Sequence, residues 1–143
     1  MGSDLDDARR LIAAETLTIA VVRDDQRWTS QQRGLAALLA WQADPAVDLS
    51  GASAADLVVG KAAALLYAEA GVKAVWAGLL SETAVPVLVA HGIEFDAAQR
   101  TEFIRNRAGD GMCPMEQAAQ EIDDPRLAPQ LLRQRITQLR AAG

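Results

Sequence analysis

The sequence predicts a three-layer α/β fold, an α/β/α sandwich around a mixed sheet. Thr16 to Arg23 is a continuous apolar, β-branched run, as expected of a strand buried on both faces. Asp24-Asp25 then makes a tight turn from which Gln26 to Ser30 pairs back, so the sheet opens with an antiparallel hairpin. After the hairpin, helix and strand signals alternate, the pattern of parallel crossovers.

The elements follow in order. Asp4 or Asp6 caps a first helix through about Ala14, with Leu5, Ala8, Leu11 and Ile12 on one face. Gly34 to Trp41 reads as a short helix stopped by Ala43-Asp44-Pro45, and residues 44–52 as a loop. Ser53 is placed as an N-cap. From Ala54 to Ala70 the apolar spacing is roughly helical, but Gly60-Lys61 interrupts it. Either one helix passes through Gly60, or an extended or kinked piece ends there and a helix starts at Lys61. The second reading is favoured, because glycine inside a helix costs about 1 kcal/mol relative to alanine.

Gly71 ends that helix, and Val72 to Leu80 is the next strand, with Ser81 capping a helix from Glu82 to Ala90. Pro86 falls in its first turn, where a missing N–H costs little. Ile93 to Phe95 is a short strand, and Asp96 is expected to cap a helix through Phe103 or Arg105. A turn at Asn106 to Gly111 leads into a helix from Cys113 to about Ile122, and Asp123-Asp124-Pro125 breaks the chain. The domain is therefore drawn as 4–122 and the remainder, 123–143, as a helical extension. Its stripe of Leu131, Leu132, Ile136 and Leu139 serves either docking on the domain or self-association into a homodimer.

Composition narrows the function classes. Half of the 143 residues are hydrophobic, but 29 of them are alanines, so Leu, Ile and Val do most of the burying. The formal charge of −5 and a pI near 4.8 offer no basic field for a phosphate backbone, which argues against broad nucleic-acid binding. A single cysteine excludes an internal disulfide and a cysteine-built structural zinc site, and fits a reducing cytoplasm. No apolar run approaches the roughly 18 residues of a membrane span, and the acidic start lacks the basic opening of a signal peptide.

The candidate site centres on Asn106-Arg107-Ala108-Gly109-Asp110-Gly111-Met112-Cys113-Pro114-Met115-Glu116. Cys113 follows a Gly-Asp-Gly turn at a helix start, where unpaired N–H groups and the helix dipole favour a thiolate. Glu116 lies over the same first turn, as a ligand-facing acid/base or a dipole partner. Lys61 is one of two lysines against twelve arginines and opens the other predicted helix start, where it would meet an anion or act as an amine of lowered pKa. Asp56 is expected to pair with Lys61 or Arg107, or to serve as a helix-start carboxylate. Ser53, Gly60, Asn106 and Arg107 complete the set as ligand-binding positions. Gly60-Lys61-Ala62 is not a Walker motif, and neither a cofactor nor a metal is expected.

Gly51 to Leu66, with Asn106-Arg107 and Cys113-Pro114-Met115-Glu116, resembles a bacterial family catalogued as domain of unknown function 1893. That family is similar to proteins of the cytidine deaminase-like fold. The resemblance covers Leu5 to Ile122 and implies that fold, with a pocket between two equivalent helix starts. Deaminases hold zinc with a His-x-Glu or Cys-x-Glu and a Pro-Cys-x-x-Cys. Here Cys113-Pro114-Met115-Glu116 has its proline on the other side and a glutamate for the second cysteine, and Gly60-Lys61-Ala62 offers no histidine. The resemblance therefore implies the scaffold without the zinc chemistry. The expected partner is a small anionic or nucleotide-like ligand between the Gly60-Lys61 and Cys113-Glu116 helix starts. A non-enzymatic sensing or interaction module is the alternative, and a metal-dependent hydrolase the weaker one.

Overall fold

A computed structural model describes residues 3–14 and 16–142. Helix α1 (Ser3–Ala14) precedes the hairpin β1 (Ile19–Arg23) and β2 (Gln26–Ser30), then α2 (Ala36–Ala43). Strand β3 (Ser53–Val59), helix α3 (Lys61–Ala70), strand β4 (Ala74–Ser81), helix α4 (Val85–Ala90) and strand β5 (Glu94–Thr101) form two successive crossovers. Two helices close the chain, α5 (Pro114–Ala119) and α6 (Ala128–Ala142).

The five strands lie in the order β2-β1-β3-β4-β5, with β1 antiparallel to both neighbours and β3, β4 and β5 parallel. The continuous apolar run of β1 is used on both faces. Ala20 and Val22 pack with Ala55 against Ala8, Leu11 and Ile12 of α1. Ile19 and Val21 join the larger core, where α3 lays Ala62 to Tyr67 against Ala54, Val75 and Ala77.

Several boundaries follow local chemistry. Gly71 ends α3 in a left-handed conformation at φ 79°: its own N–H meets the Tyr67 and Ala68 carbonyls, and the turn brings the Val72 N–H back to the Tyr67 carbonyl at 3.3 Å. Ser81 accepts the N–H of Thr83 and caps the 3-10 turn that leads into α4.

Four expectations are corrected. Ser53 is no cap: it opens β3, fully buried, and its hydroxyl has no hydrogen-bond partner among the described residues. Asp96 does not start a helix, since 94–101 is a strand paired to β4 from Ala74↔Glu94 to Ser81↔Thr101. The helix formers Ala97, Ala98, Gln99 and Arg100 yield there to pairing with a preformed neighbour, a tertiary override of propensity. The first strand begins at Ile19, three residues after Thr16, and Asp4 and Asp6 lie inside the first turn of α1.

The amphipathic segment 127–140 is docked through Leu132 and Ile136, while Leu127 and Leu131 stay exposed. Leu132 is fully buried, Ile136 packs on the core, and the Arg133 guanidinium donates to the Leu39 carbonyl at 2.6 Å.

Candidate active site

The sheet is incomplete at the carboxyl end of β3. Strand β1 pairs with β3 only from Ile19↔Asp56 inward, so the last residues of β3 outrun their neighbour. Leu57 and Val58 are consequently 41% and 45% exposed, unusual for apolar residues in a central strand. A cavity of about 500 Å³ fills this gap. Ile19 and Leu57 wall it on the sheet side, Ile104 and Met115 on the other, and Gln32 and Arg33 stand at the loop before α2. The end of a parallel strand beside a reversal of strand order is where open α/β sheets bind ligands.

Asp56 supplies the charge inside. It is half-buried, and its carboxylate accepts the Tyr67 phenol O–H at 2.7 Å and the Val58 N–H at 3.3 Å. Both bonds favour the ionised form, yet burial outweighs them and pushes the Asp56 carboxyl up to about 7. Tyr67 is fully buried in α3, and burial together with the Asp56 charge drives its phenol well above the ordinary range. The expected partners Lys61 and Arg107 are replaced by this tyrosine. Near neutral pH Asp56 is both acid and base, the condition for exchanging a proton with a ligand.

Glu116 does different work. Its side chain crosses from α5 to the start of α3, where Lys61 N–H donates to Oε1 at 2.7 Å and Ala62 N–H donates to Oε2 at 3.1 Å. The α3 N-terminus has no capping side chain of its own, so Glu116 fills that role from 55 residues away. Gly60 makes the approach possible, because a Cβ there would fall on the Glu116 carboxylate. Burial raises the Glu116 pKa, partly offset by the two N–H groups and by Lys61. An anion expected between the two helix starts thus finds the place taken by the chain's own carboxylate.

Cys113 lines the same cavity, half-buried, as the residue before the six-residue helix α5, with its N–H bonded to the Ile104 carbonyl at 2.8 Å. The Lys61 ammonium turns away to the Gln120 carbonyl at 3.2 Å and is no part of the lining. Asn106 is spent on its turn, accepting the N–H groups of Gly109 and Asp110 and donating to the Asp110 carboxylate. Arg107 is an exposed turn residue, and Ser53 sits at the opposite end of β3. The fold therefore gathers Asp56, Gly60, Cys113 and Glu116 and leaves Ser53, Lys61, Asn106 and Arg107 outside the cavity lining. Among the described residues no three of His, Cys, Asp and Glu converge as a metal-ligand set.

The model of a family described as Domain of unknown function (DUF1893) matches residues 7–136. The chain belongs to that family. The DUF1893 match runs to residue 136 and so takes in most of α6, beyond Ile122 where the sequence resemblance ended. The crystal structure of a DUF1893 family protein (TM1506) from Thermotoga maritima is similar to this chain, with a TM-score of 0.81 at 22% identity. The likeness covers 96% of this chain and 91% of that one, and at such identity it speaks for the fold alone. No curated protein matches. No helix among the described residues of this DUF1893 chain is long and apolar enough to cross a membrane.

Tyr67 and Arg33 are not singled out as site residues by the sequence. Tyr67 had a signal: a lone tyrosine in an alanine- and leucine-rich helix needs a partner for its hydroxyl when buried.

Proposed function

We propose that this DUF1893 protein binds a small organic molecule in the cavity at the end of β3, with Asp56 recognising it and sharing a proton with it. One observation carries the reading. Asp56 combines a place in an apolar cavity, a pKa of about 7 and unused hydrogen-bonding capacity, whereas both oxygens of Glu116 are already engaged. A protonated carboxyl presents one donor and one acceptor side by side, which complements the edge of an amide or a planar nitrogen heterocycle. The volume suits a ligand of nucleoside size, and Arg33 at the mouth suits an anionic substituent. Cys113 lines the same cavity as a candidate nucleophile. The helix on one sheet face and the larger set on the other support reading the fold as the three-layer, cytidine deaminase-like sandwich.

The reading without turnover, a ligand sensor, is favoured by the two groups lost to structure: the Lys61 ammonium and the Glu116 carboxylate. Binding is tested by ligand-observed NMR with nucleobases, nucleosides and nucleoside monophosphates on the native chain and on Asp56→Asn. Binding by one class, weakened at least tenfold in Asp56→Asn, is the expected result. Affinity that Asp56→Asn leaves unchanged would overturn the assignment.

A further inference from the structure

We propose that β5 is a dimerisation edge, pairing antiparallel with β5 of a second copy to give one continuous ten-stranded sheet. The strand is eight residues long and lies at the border of the sheet, where β4 covers one side only. Exposed edges of this length are ordinarily blunted by charged side chains, lysine above all, by proline or by a bulge; the charges of this strand, Glu94, Asp96 and Arg100, are of both signs and can complement a second copy. Residues 94–101 contain neither lysine nor proline, and their register with β4 keeps a constant offset from end to end. The opposite border, β2, is only five residues long and carries Arg27 and Trp28.

The outward groups can be assigned. Glu94 N–H donates inward to the Lys73 carbonyl, so by alternation the N–H and C=O of Phe95, Ala97, Gln99 and Thr101 face away from β4. Ala97 N–H is the central outward donor, and in the single chain the Asp96 carboxylate covers it at 2.9 Å. Such a local substitute is what a donor without a strand partner takes, and a second strand would replace it.

Charge selects the register and the occupant. The strand is acidic at its start, with Glu94 and Asp96, and basic at its end, with Arg100. Antiparallel self-pairing about Ala97 sets Glu94 opposite Arg100 twice, Phe95 opposite Gln99, and the small Ala97 opposite itself. A shift of one residue to centre on Ala98 would oppose Glu94 to Glu102. Arg100 donates through Nε and Nη2 to Glu82, at 2.8 and 2.7 Å, which leaves three of its five N–H donors for a second copy. Because β5 runs into the segment bearing Ile104 and Cys113, pairing would also steady one wall of the cavity.

The test is sedimentation velocity on the full chain over a concentration series, with hydrogen exchange at Phe95, Ala97 and Gln99. The native chain should reach twice the mass of one chain, with those amides protected as the dimer forms. Arg100→Glu and Glu94→Arg should each weaken self-association by at least about tenfold, since like charges then face each other. Mixing the two variants should restore a dimer, because every cross-strand pair becomes opposite in sign. Ala97→Pro should abolish pairing while sparing the inward ladder; if it does not fold, the charge-reversed pair still decides. A native chain that stays monomeric, or a dimer that neither charge reversal weakens, would overturn the proposal.

Discussion

The Asp56 carboxyl is ionised reluctantly, and that fixes a pH dependence. Its pKa is raised in the folded chain to about 7, against about 3.9 when unfolded. The folded state therefore holds the proton more tightly, and stability present below pH 4 is lost as pH rises towards 7, by up to about 4 kcal/mol. Glu116, also raised by burial, adds in the same direction. The exposed carboxyls lowered by their neighbours, Asp48, Glu82 and Asp124, act in the opposite sense but below this range. Chemical denaturation should show the native chain less stable at pH 8 than at pH 5. Asp56→Asn should flatten most of that slope and be the more stable chain at pH 8, while losing ligand. Tyr67→Phe should do the reverse at pH 8, costing about 1–3 kcal/mol by removing the O–H that the carboxylate accepts. An equal cost at both pH values would mean that Tyr67 acts by packing rather than through Asp56.

Among the elements, the joint between α3 and α5 depends on one glycine and one glutamate. Glu116→Ala should cost about 2–3 kcal/mol, because it strands the buried Ala62 N–H and uncaps α3. Gly60→Ala should cost a similar amount by forcing Glu116 off the helix end. In the double variant the clash has no partner, so its loss should fall well short of the sum; additive losses would show that Gly60 is needed for another reason. This joint also shows what was legible. Gly60-Lys61 was readable as a break followed by a helix, since glycine and a new periodicity are local signals. Glu116 was readable as a first-turn carboxylate, yet the turn it stabilises belongs to a different helix. Asp96 misled for the same kind of reason: a capping residue before Ala97-Ala98-Gln99 describes a helix until β4 is placed alongside.

For the molecule as a whole, α6 packs against the main core. Leu132 is fully buried in the main core and Arg133 ties the helix to α2 through Leu39. Leu132→Ala should cost about 2–5 kcal/mol in denaturant midpoint analysis, and a loss under about 1 kcal/mol would mark the segment as an appendage. By itself the sequence determined the mixed sheet's opening hairpin, the helix start at Lys61, the stop at Gly71, the cap at Ser81 and the turn at 106–111. These are set by residues within a few positions of one another, through backbone conformations that only certain side chains allow. Only the tertiary structure decided that β5 runs on past Asp96 to Thr101, that Ser53 opens β3, that Tyr67 holds Asp56, and that Glu116 occupies the helix end a ligand was expected to reach. Those outcomes depend on burial and on hydrogen bonds between groups distant in the chain. Such interactions acquire their strength only after the core has excluded water, so they leave no period or spacing in the sequence.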